Sequence, residues 1–351
     1  MHGIKDVANL AGVSISTVSN VMNNSKYVRE DLRKKVLDAA KSLDYEADTI
    51  ARGLKSYRTR TLGIIITSFS RIFFPQVLSG MQVIANELGY NLIIHSTDDD
   101  FSKEKSYVKM LLSNRVDGIV IDSVADPENE EYFRYLSGLA IKAKHVPVFS
   151  IERDLSKHGI HSIFINNSLG GRLVTEHLIK LGAGQIVHIG GPALSEMSLQ
   201  RFQGYKDAIE EKNIPFRQSL AINGDFSPLS GYTALKRLIV MGIPFDAVFA
   251  DNDQMAIGAM KCLKENGFDV PHDIKVAGFD NTFVASVVKP SLTTIHVPKH
   301  RLGIRSVKNL IDIAEGNIEE APVVREEMPI ELICRQSTDP CVEDDWELEY
   351  W

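Results

Sequence analysis

The apolar residues of this chain keep two different periods, and the change near Thr61 divides it into two separately built parts. Up to residue 60 they recur at helical spacing. In the run Ile4 to Ser14, residues Ile4, Val7, Ala8 and Ala11 fall on one face, and Gly12 supplies a tight break. The stretch Ser14 to Met22 turns Val18, Val21 and Met22 inward and leaves Ile15, Ser16, Ser19 and Asn20 on an opposite, small and polar face. A third helix, roughly Arg29 to Leu43, carries Val28, Leu32, Val36, Leu37, Ala40 and Leu43 as the inner stripe of a three-helix core. The unit reads as a helix-turn-helix, because short hydroxyl and amide side chains on such a face can reach base edges in a major groove. Spacing alone equally allows an ordinary helical hairpin.

Beyond Thr61 the pattern becomes strand alternating with helix. Leu62 to Ile66 is a continuous apolar run suited to a buried parallel strand, and Pro75 to Leu88 is helical, with Val77, Met81, Ile84, Ala85 and Leu88 facing inward. Further strands are expected at Asn91 to His95, Gly118 to Asp122, Val146 to Ile151, Ser162 to Ile165, Gln185 to Ile189, Ala247 to Ala250 and Ile274 to Phe279, enough for two doubly wound lobes. Many enzymes share that alternation, but neither a dinucleotide fingerprint nor a phosphate-binding Walker loop occurs, and a nucleophile elbow is missing. Gly170-Gly171 and Gly190-Gly191-Pro192 read as turns. His158 and His161, three apart in a Gly-containing loop, read as a solvated turn rather than a metal pair. The expectation is a non-enzyme with neither metal nor cofactor.

At 351 residues and 44% hydrophobic content the chain can bury a large core in two or three domains. It contains no run of 18 apolar residues and no signal-peptide pattern, so a cytoplasmic protein with no membrane partner is expected. Cys262, Cys334 and Cys341 show no metal-ligand spacing and no disulfide framework. Residues 1 to 60 hold eleven Lys and Arg against seven Asp and Glu, about +4, while the whole chain at −7 leaves about −11 for the rest. The basic end is the one that meets phosphate, with Lys26, Arg29, Arg33, Lys34, Arg52, Lys55, Arg58 and Arg60 as the backbone-contacting candidates.

The run VANLAGVSISTVSNVMNNSKYVREDLRKKVLDAAKSLDYEADTIARGLKSYRTRTLGIII, Val7 to Ile66, resembles the start of the LacI/GalR family of bacterial repressors, and motif matches continue to about Thr338. The resemblance implies an α-helical helix-turn-helix head plus an α/β periplasmic-binding-protein-like core of two doubly wound lobes. Its parts are a DNA-binding domain at 1–46, a hinge helix or linker at 47–60, an effector-binding and dimerisation core at 61–338, and an acidic aromatic tail at 339–351. The N-lobe is expected at about 61–160 and 293–322, the C-lobe at about 161–292 and 323–338. Ile15 and Ser16 take the base-reading positions, with Asn20 where most members carry Arg. Asn suits adenine, so the operator should differ there. Ser14, Thr17, Ser19 and Tyr27 complete the DNA-contacting set of the head. Asp48 to Lys55 resembles the hinge helix that folds on DNA and wedges a leucine into the minor groove. Leu54 occupies the wedge position, flanked by Ala51 and Lys55, and Asp48 stands where Asn is usual.

The same resemblance places an effector in the cleft between the lobes. Phe73 and Phe74 match aromatic positions at the cleft mouth, Arg201 the effector-clamping arginine, and Asn252, Asp253 and Asp280 residues that follow apolar strands. Glu152 or Arg153 adds a contact, and Phe226 matches a site position in the purine-sensing branch. A guanidinium, carboxylates and a phenyl face suit a sugar, so the expected partner is a carbohydrate-type small molecule. The alternatives are a purine, or a phosphorylated carrier protein that binds the outer face of the N-lobe. A homodimer on palindromic double-stranded DNA is implied, paired through Pro75 to Leu88 and Asn91 to Leu112. The tail lacks a leucine heptad, so tetramers are not expected, and the tail is read as disordered or as a cap. Effector and operator affinities must be linked reciprocally, as inducer or as corepressor.

Overall fold

A computed structural model describes residues 3–23, 26–45, 58–141, 146–317 and 322–343. The chain divides between Thr59 and Arg60 into two compact units. The hinge segment, with Ala51, Leu54 and Lys55, and the last eight residues of the tail lie outside the described residues.

The first unit is three helices, α1 (Ile4–Ala11), α2 (Ile15–Asn23) and α3 (Glu30–Ser42). Gly12 ends α1 at φ 65°, a left-handed position where a Cβ would be strained, and its N–H turns back to the carbonyls of Ala8 and Asn9. That reversal aims α2 across α1. Val7, Val18 and Val36 are fully buried at the centre, with Ala8, Val21, Ala39 and Ala40 around them. The expected inner stripe of α3 needs one correction: Leu37 is 45% exposed and Ala39 is buried instead. Val36, Ala39 and Ala40 make the inward i, i+3, i+4 face, which rotates Leu37 outward.

The second unit holds two parallel sheets. In the first, β1 (Thr61–Ile66), β2 (Asn91–Ser96), β3 (Gly118–Ile121), β4 (Val148–Glu152), β5 (His161–Ile165) and β11 (Arg325–Met328) lie in the order β11-β5-β4-β3-β1-β2. The second, with β6 (Ile186–Gly190), β7 (Ala221–Asn223), β8 (Ala247–Ala250) and β9 (Lys275–Ala277), runs β7-β6-β8-β9. Every pairing within these sheets is parallel. Central strands β3, β4, β6 and β8 are buried at every residue, as strands covered by helices on both faces must be, whereas edge strands β2 and β7 are half-exposed. Between strands come α4 (Phe74–Leu88), α5 (Phe101–Ser113), α6 (Glu130–Ile141), α7 (Asn167–Lys180), α8 (Glu196–Glu211), α9 (Pro228–Val240), α10 (Asp253–Glu265), α11 (Phe283–Val287) and α12 (Lys299–Glu315). Side-chain caps start several of them: Asp100 for α5, Asn166 for α7, Ser227 for α9 and Asn252 for α10.

The chain crosses between the lobes three times: after β5, around β10 (Thr294–His296), and between β11 and β12 (Glu331–Ile333). There β10 and β12 pair antiparallel. This moves the expected lobe limits. His161–Ile165 pairs with β4, and Arg325–Met328 pairs with β5, so both strands belong to the N-lobe sheet. The first crossover therefore falls after Ile165 rather than near 160, and the last after Met328 rather than near 322. On α4, Val77, Met81 and Ala85 are buried as expected, but Leu88 is 41% exposed at the last turn.

Two glycine readings also change. Gly170 and Gly171 sit inside α7, where α8 approaches so closely that a Cβ at Gly171 would stand 2.2 Å from the Arg201 carbonyl oxygen. Gly204 of α8 reciprocates, with a Cβ position 1.9 Å from the Ser168 carbonyl oxygen. His158 and His161 are likewise no solvated turn. His158 packs on Phe133 at 4.6 Å, and His161 Nδ1 accepts the Val324 N–H at 3.0 Å, so each ring does structural work.

Candidate functional site

The carboxyl ends of the strands from both lobes converge on one cleft, where connecting loops leave side chains free of the sheet ladder. After β1 come Arg71, Phe73 and Phe74; Asp122 follows β3, and Glu152 ends β4. From the other lobe, Met197 and Arg201 stand on α8 after β6, Phe226 follows β7, Asn252 and Gln254 follow β8, and Asp280 follows β9. They line a cleft of about 380 Å³ that is open to solvent on one side. Three of these residues hold left-handed backbone without being glycine, Glu152 at φ 67°, Phe226 at 67° and Asp280 at 101°. Such strain persists only where surrounding packing fixes it, and it gathers at binding sites.

Arg201 is the anchor. Its Nε donates to Asn167 Oδ1 at 2.8 Å and its Nη1 to the Asp251 carbonyl. The guanidinium lies 3.7 Å above the Phe279 ring, and Nη2 stands 3.9 Å from Asp280 Oδ1. Fork geometry and stacking leave one guanidinium edge directed at the cleft carboxylate, a pre-organised charged donor. Around it are three buried carboxyls. Burial pushes Asp122 up to about 7, the Arg71 charge and the nearby Thr67 hydroxyl only partly offsetting it, and neither Asp122 oxygen makes a hydrogen bond of normal geometry. Glu152 rises to about 8 through burial and the nearby Asp122, and its Oε1 is also without a partner. Asp280 is raised by burial, against the pull of Arg201. Buried acceptors left open are costly to the free protein and available to a ligand that brings donors.

The apolar walls are aromatic. Phe73 and Phe74 meet edge to face at 5.3 Å. Phe226 lies so tightly over Gly191 that a Cβ there would come within 2.2 Å of the ring, which explains a glycine at a position first read as an ordinary turn. Contacts also run across the cleft. Arg71, bonded to Thr67 Oγ1 at 2.7 Å and to Asp99 at 2.5 Å, lays its guanidinium 4.5 Å above Phe226. Gln254 Oε1 accepts the Ile72 N–H at 3.0 Å, and its Nε2 donates to the Ser70 carbonyl at 3.3 Å.

In the head, α2 presents its small polar face as expected. Ser14, Ile15 and Ser16 are exposed, Ile15 at 45%, while Thr17, Ser19 and Asn20 are partly covered. The Ser14 hydroxyl caps α2, accepting the Thr17 N–H at 3.1 Å. Tyr27, ahead of α3, is 92% exposed.

Residues 3–48 match the model of bacterial regulatory proteins of the lacI family, and residues 175–338 match a periplasmic binding protein-like domain. The chain is 35% identical over 325 residues, 92% of its length and 94% of the relative's, to the HTH-type transcriptional repressor PurR of Photorhabdus laumondii. PurR of Actinobacillus pleuropneumoniae is 35% identical over 96% of this chain and 98% of its own. The chain belongs to the LacI family. Among solved structures, the lac repressor dimer bound to operator and the anti-inducer ONPF superposes with a TM-score of 0.84 at 29% identity, covering 96% of this chain and 99% of that one. The CelR–cellobiose complex gives 0.68 at 27%, covering 96% and 100%.

For this LacI-family regulator the expected head-plus-two-lobe architecture stands, and most of the expected cleft residues line one cavity. Two do not. Arg153 turns away to Glu196 Oε2 at 2.8 Å and to the carbonyls of Ser123 and Ala125 at 2.9 and 2.7 Å. Asp253 is fully buried, its carboxylate taken by the Thr282 N–H, the Thr282 hydroxyl and the Thr294 hydroxyl at 2.6, 2.8 and 2.6 Å. Its work is to brace the 280–282 turn. Four lining residues were absent from the expected set: Arg71, Asp122, Met197 and Gln254. The signal for Asp122 was in the sequence, a carboxylate closing an apolar strand. Among the described residues no cluster of His, Cys, Asp and Glu is arranged to hold a metal ion, and no helix is long and apolar enough to cross a membrane.

Proposed function

We propose that this protein is an operator-binding transcriptional repressor, active as a homodimer, whose DNA affinity is set by a small molecule held in the interlobe cleft. One observation carries the reading: seven strand ends deliver aromatic rings, a fixed guanidinium and carboxyls with open acceptor positions into a single cavity of the unit joined to the helix-turn-helix head. A purine-type base is the favoured effector. Its relatives named PurR support this class over the saccharide first expected, and so does the chemistry, since ring N–H groups can donate to Asp280, Glu152 or Asp122 while a ring carbonyl accepts from Arg201. Phe226, Phe73 and Phe74 supply apolar faces for a flat ring. The sugar reading keeps support from structural likeness, including that to CelR bound to cellobiose.

Isothermal titration of the full chain with hypoxanthine, guanine, adenine, cellobiose and ribose separates the two. The expected result is heat from a purine that Arg201→Ala abolishes. Binding confined to the sugars would reassign the class, and binding by neither would reject the cleft as an effector site of these classes.

A further inference from the structure

A second and larger cavity, about 870 Å³ including the space open to solvent, is lined by Asn281 and Thr282 of the turn whose Asp280 lines the effector cleft. Its lining is the electrostatic opposite of its surroundings. The chain beyond residue 60 carries far more Asp and Glu than Lys and Arg, yet no carboxylate lines this cavity. Five basic side chains do: His296 at the end of β10, Lys299, His300 and Arg301 opening α12, and Arg335 just after β12. Lys299 and Arg335 are both 3% exposed, so part of this positive charge is fixed inside the protein rather than dispersed on its surface. The Lys299 ammonium is held by the carbonyls of Asp280, Asn281 and Val297, and Arg335 Nη1 by Asn281 Oδ1 at 2.9 Å and the Leu292 carbonyl at 3.0 Å.

The placement of charge on α12 runs against helix electrostatics. The start of a helix is its positive end and favours acids, but this 17-residue helix opens Lys-His-Arg, has no acidic residue in its first turn, and has no side-chain cap. The helix N-terminus adds its own positive potential to the charges of Lys299, Arg301 and Arg335, and an anion in the cavity resolves the conflict. The opposite wall is apolar: Phe283, 42% exposed, together with Val297 and Pro298.

We infer that this cavity is a second ligand site, for a small organic phosphate monoester whose dianionic head meets the basic wall and whose ring or chain packs against Phe283. The two sites share a wall. Asp280 lines the effector cleft with its side chain, while its carbonyl and that of Asn281 hold Lys299 at the second cavity. A ligand that draws on Lys299 acts on the same turn that aims Asp280.

Phenyl phosphate is a suitable probe, tested by isothermal titration on the full chain at ionic strength held constant with chloride, beside inorganic phosphate and phenol. The wild type should bind phenyl phosphate best, phosphate more weakly and phenol least. Arg301→Glu should weaken phenyl phosphate by roughly tenfold or more, the loss of one charge-assisted contact and its replacement by repulsion. The same change places an acid where the helix start favours one, so its thermal midpoint should not fall. Arg301→Lys should restore most of the binding. The inference is overturned if wild type shows no phenyl phosphate heat, if Arg301→Glu binds it as tightly as wild type, or if phenol binds equally well. Binding at the DNA-reading head would show itself as indifference to Arg301→Glu.

Discussion

Residue by residue, the cleft trades stability for open hydrogen-bonding groups. Asp122 is an acid whose folded pKa, about 7, lies above its ordinary 3.8. The folded state therefore favours the protonated form, and the stability this gives is complete below about pH 4 and lost as the pH rises through 7. Asp122→Asn removes that dependence. Urea unfolding should show the variant gaining about 2 to 4 kcal/mol on wild type between roughly pH 5 and pH 8.5, and no change in the difference would mean the carboxyl is solvated or paired. Arg201→Ala should abolish binding of the cleft ligand, a loss of about 2 to 4 kcal/mol, while operator binding without ligand survives, as read by titration and by fluorescence anisotropy. Loss of DNA binding with ligand binding retained would reverse the placement of the site. At this scale the sequence carried the type of residue better than its orientation. Arg153 and Asp253 follow strands as binding residues do, yet which way each turns depends on Glu196 and Thr294, partners distant in sequence that no local pattern reveals.

At the scale of elements, two glycine contacts hold Arg201 in position. With α7 and α8 in backbone contact at Gly171 and Gly204, an added methyl has only main chain to push against. Gly204→Ala should cost about 1 to 3 kcal/mol by overpacking and should also weaken cleft binding, because α8 carries Arg201. Thermal melting and titration of the same variant check both, and a loss of stability with unaltered binding would show that α8 moves without disturbing the site. Central strands and their helices were legible because burial on both faces leaves continuous apolar runs, as in Ile64-Ile65-Ile66 or Ala247 to Ala250. The short strands β7, β10, β11 and β12 were not. Arg325-Glu326-Glu327-Met328 is a strand because it completes the edge beside β5, with Arg305 pairing to Glu326 at 3.0 Å, and its own residues carry no strand pattern. The same edge explains the shifted lobe limits.

Across the whole molecule, a head with excess basic charge is joined to an acidic body, which orients the head toward DNA and keeps the body from it. If Leu54 is the minor-groove wedge that the family resemblance implies, Leu54→Ala should weaken operator binding while leaving salt-sensitive nonspecific binding nearly intact, since a wedge residue acts only where the duplex is bent for it. Equal loss of both in filter or anisotropy assays would argue against a wedge. The architecture was legible as a whole because the period of apolar residues changes at a single place. Effector chemistry was less so, since the three buried cleft carboxyls come from three different strands and two sheets. Linkage between cleft and operator is tested most directly by one pair of affinities: that of the full chain for a palindromic duplex with and without the purine that binds the cleft, and that of the purine with and without duplex. The two ratios should be equal and differ from one, by a factor of roughly 5 to 150, and Arg201→Ala should bring the operator ratio to one. A duplex affinity that ignores saturating purine in a cleft shown to hold it would contradict the coupling of the two units.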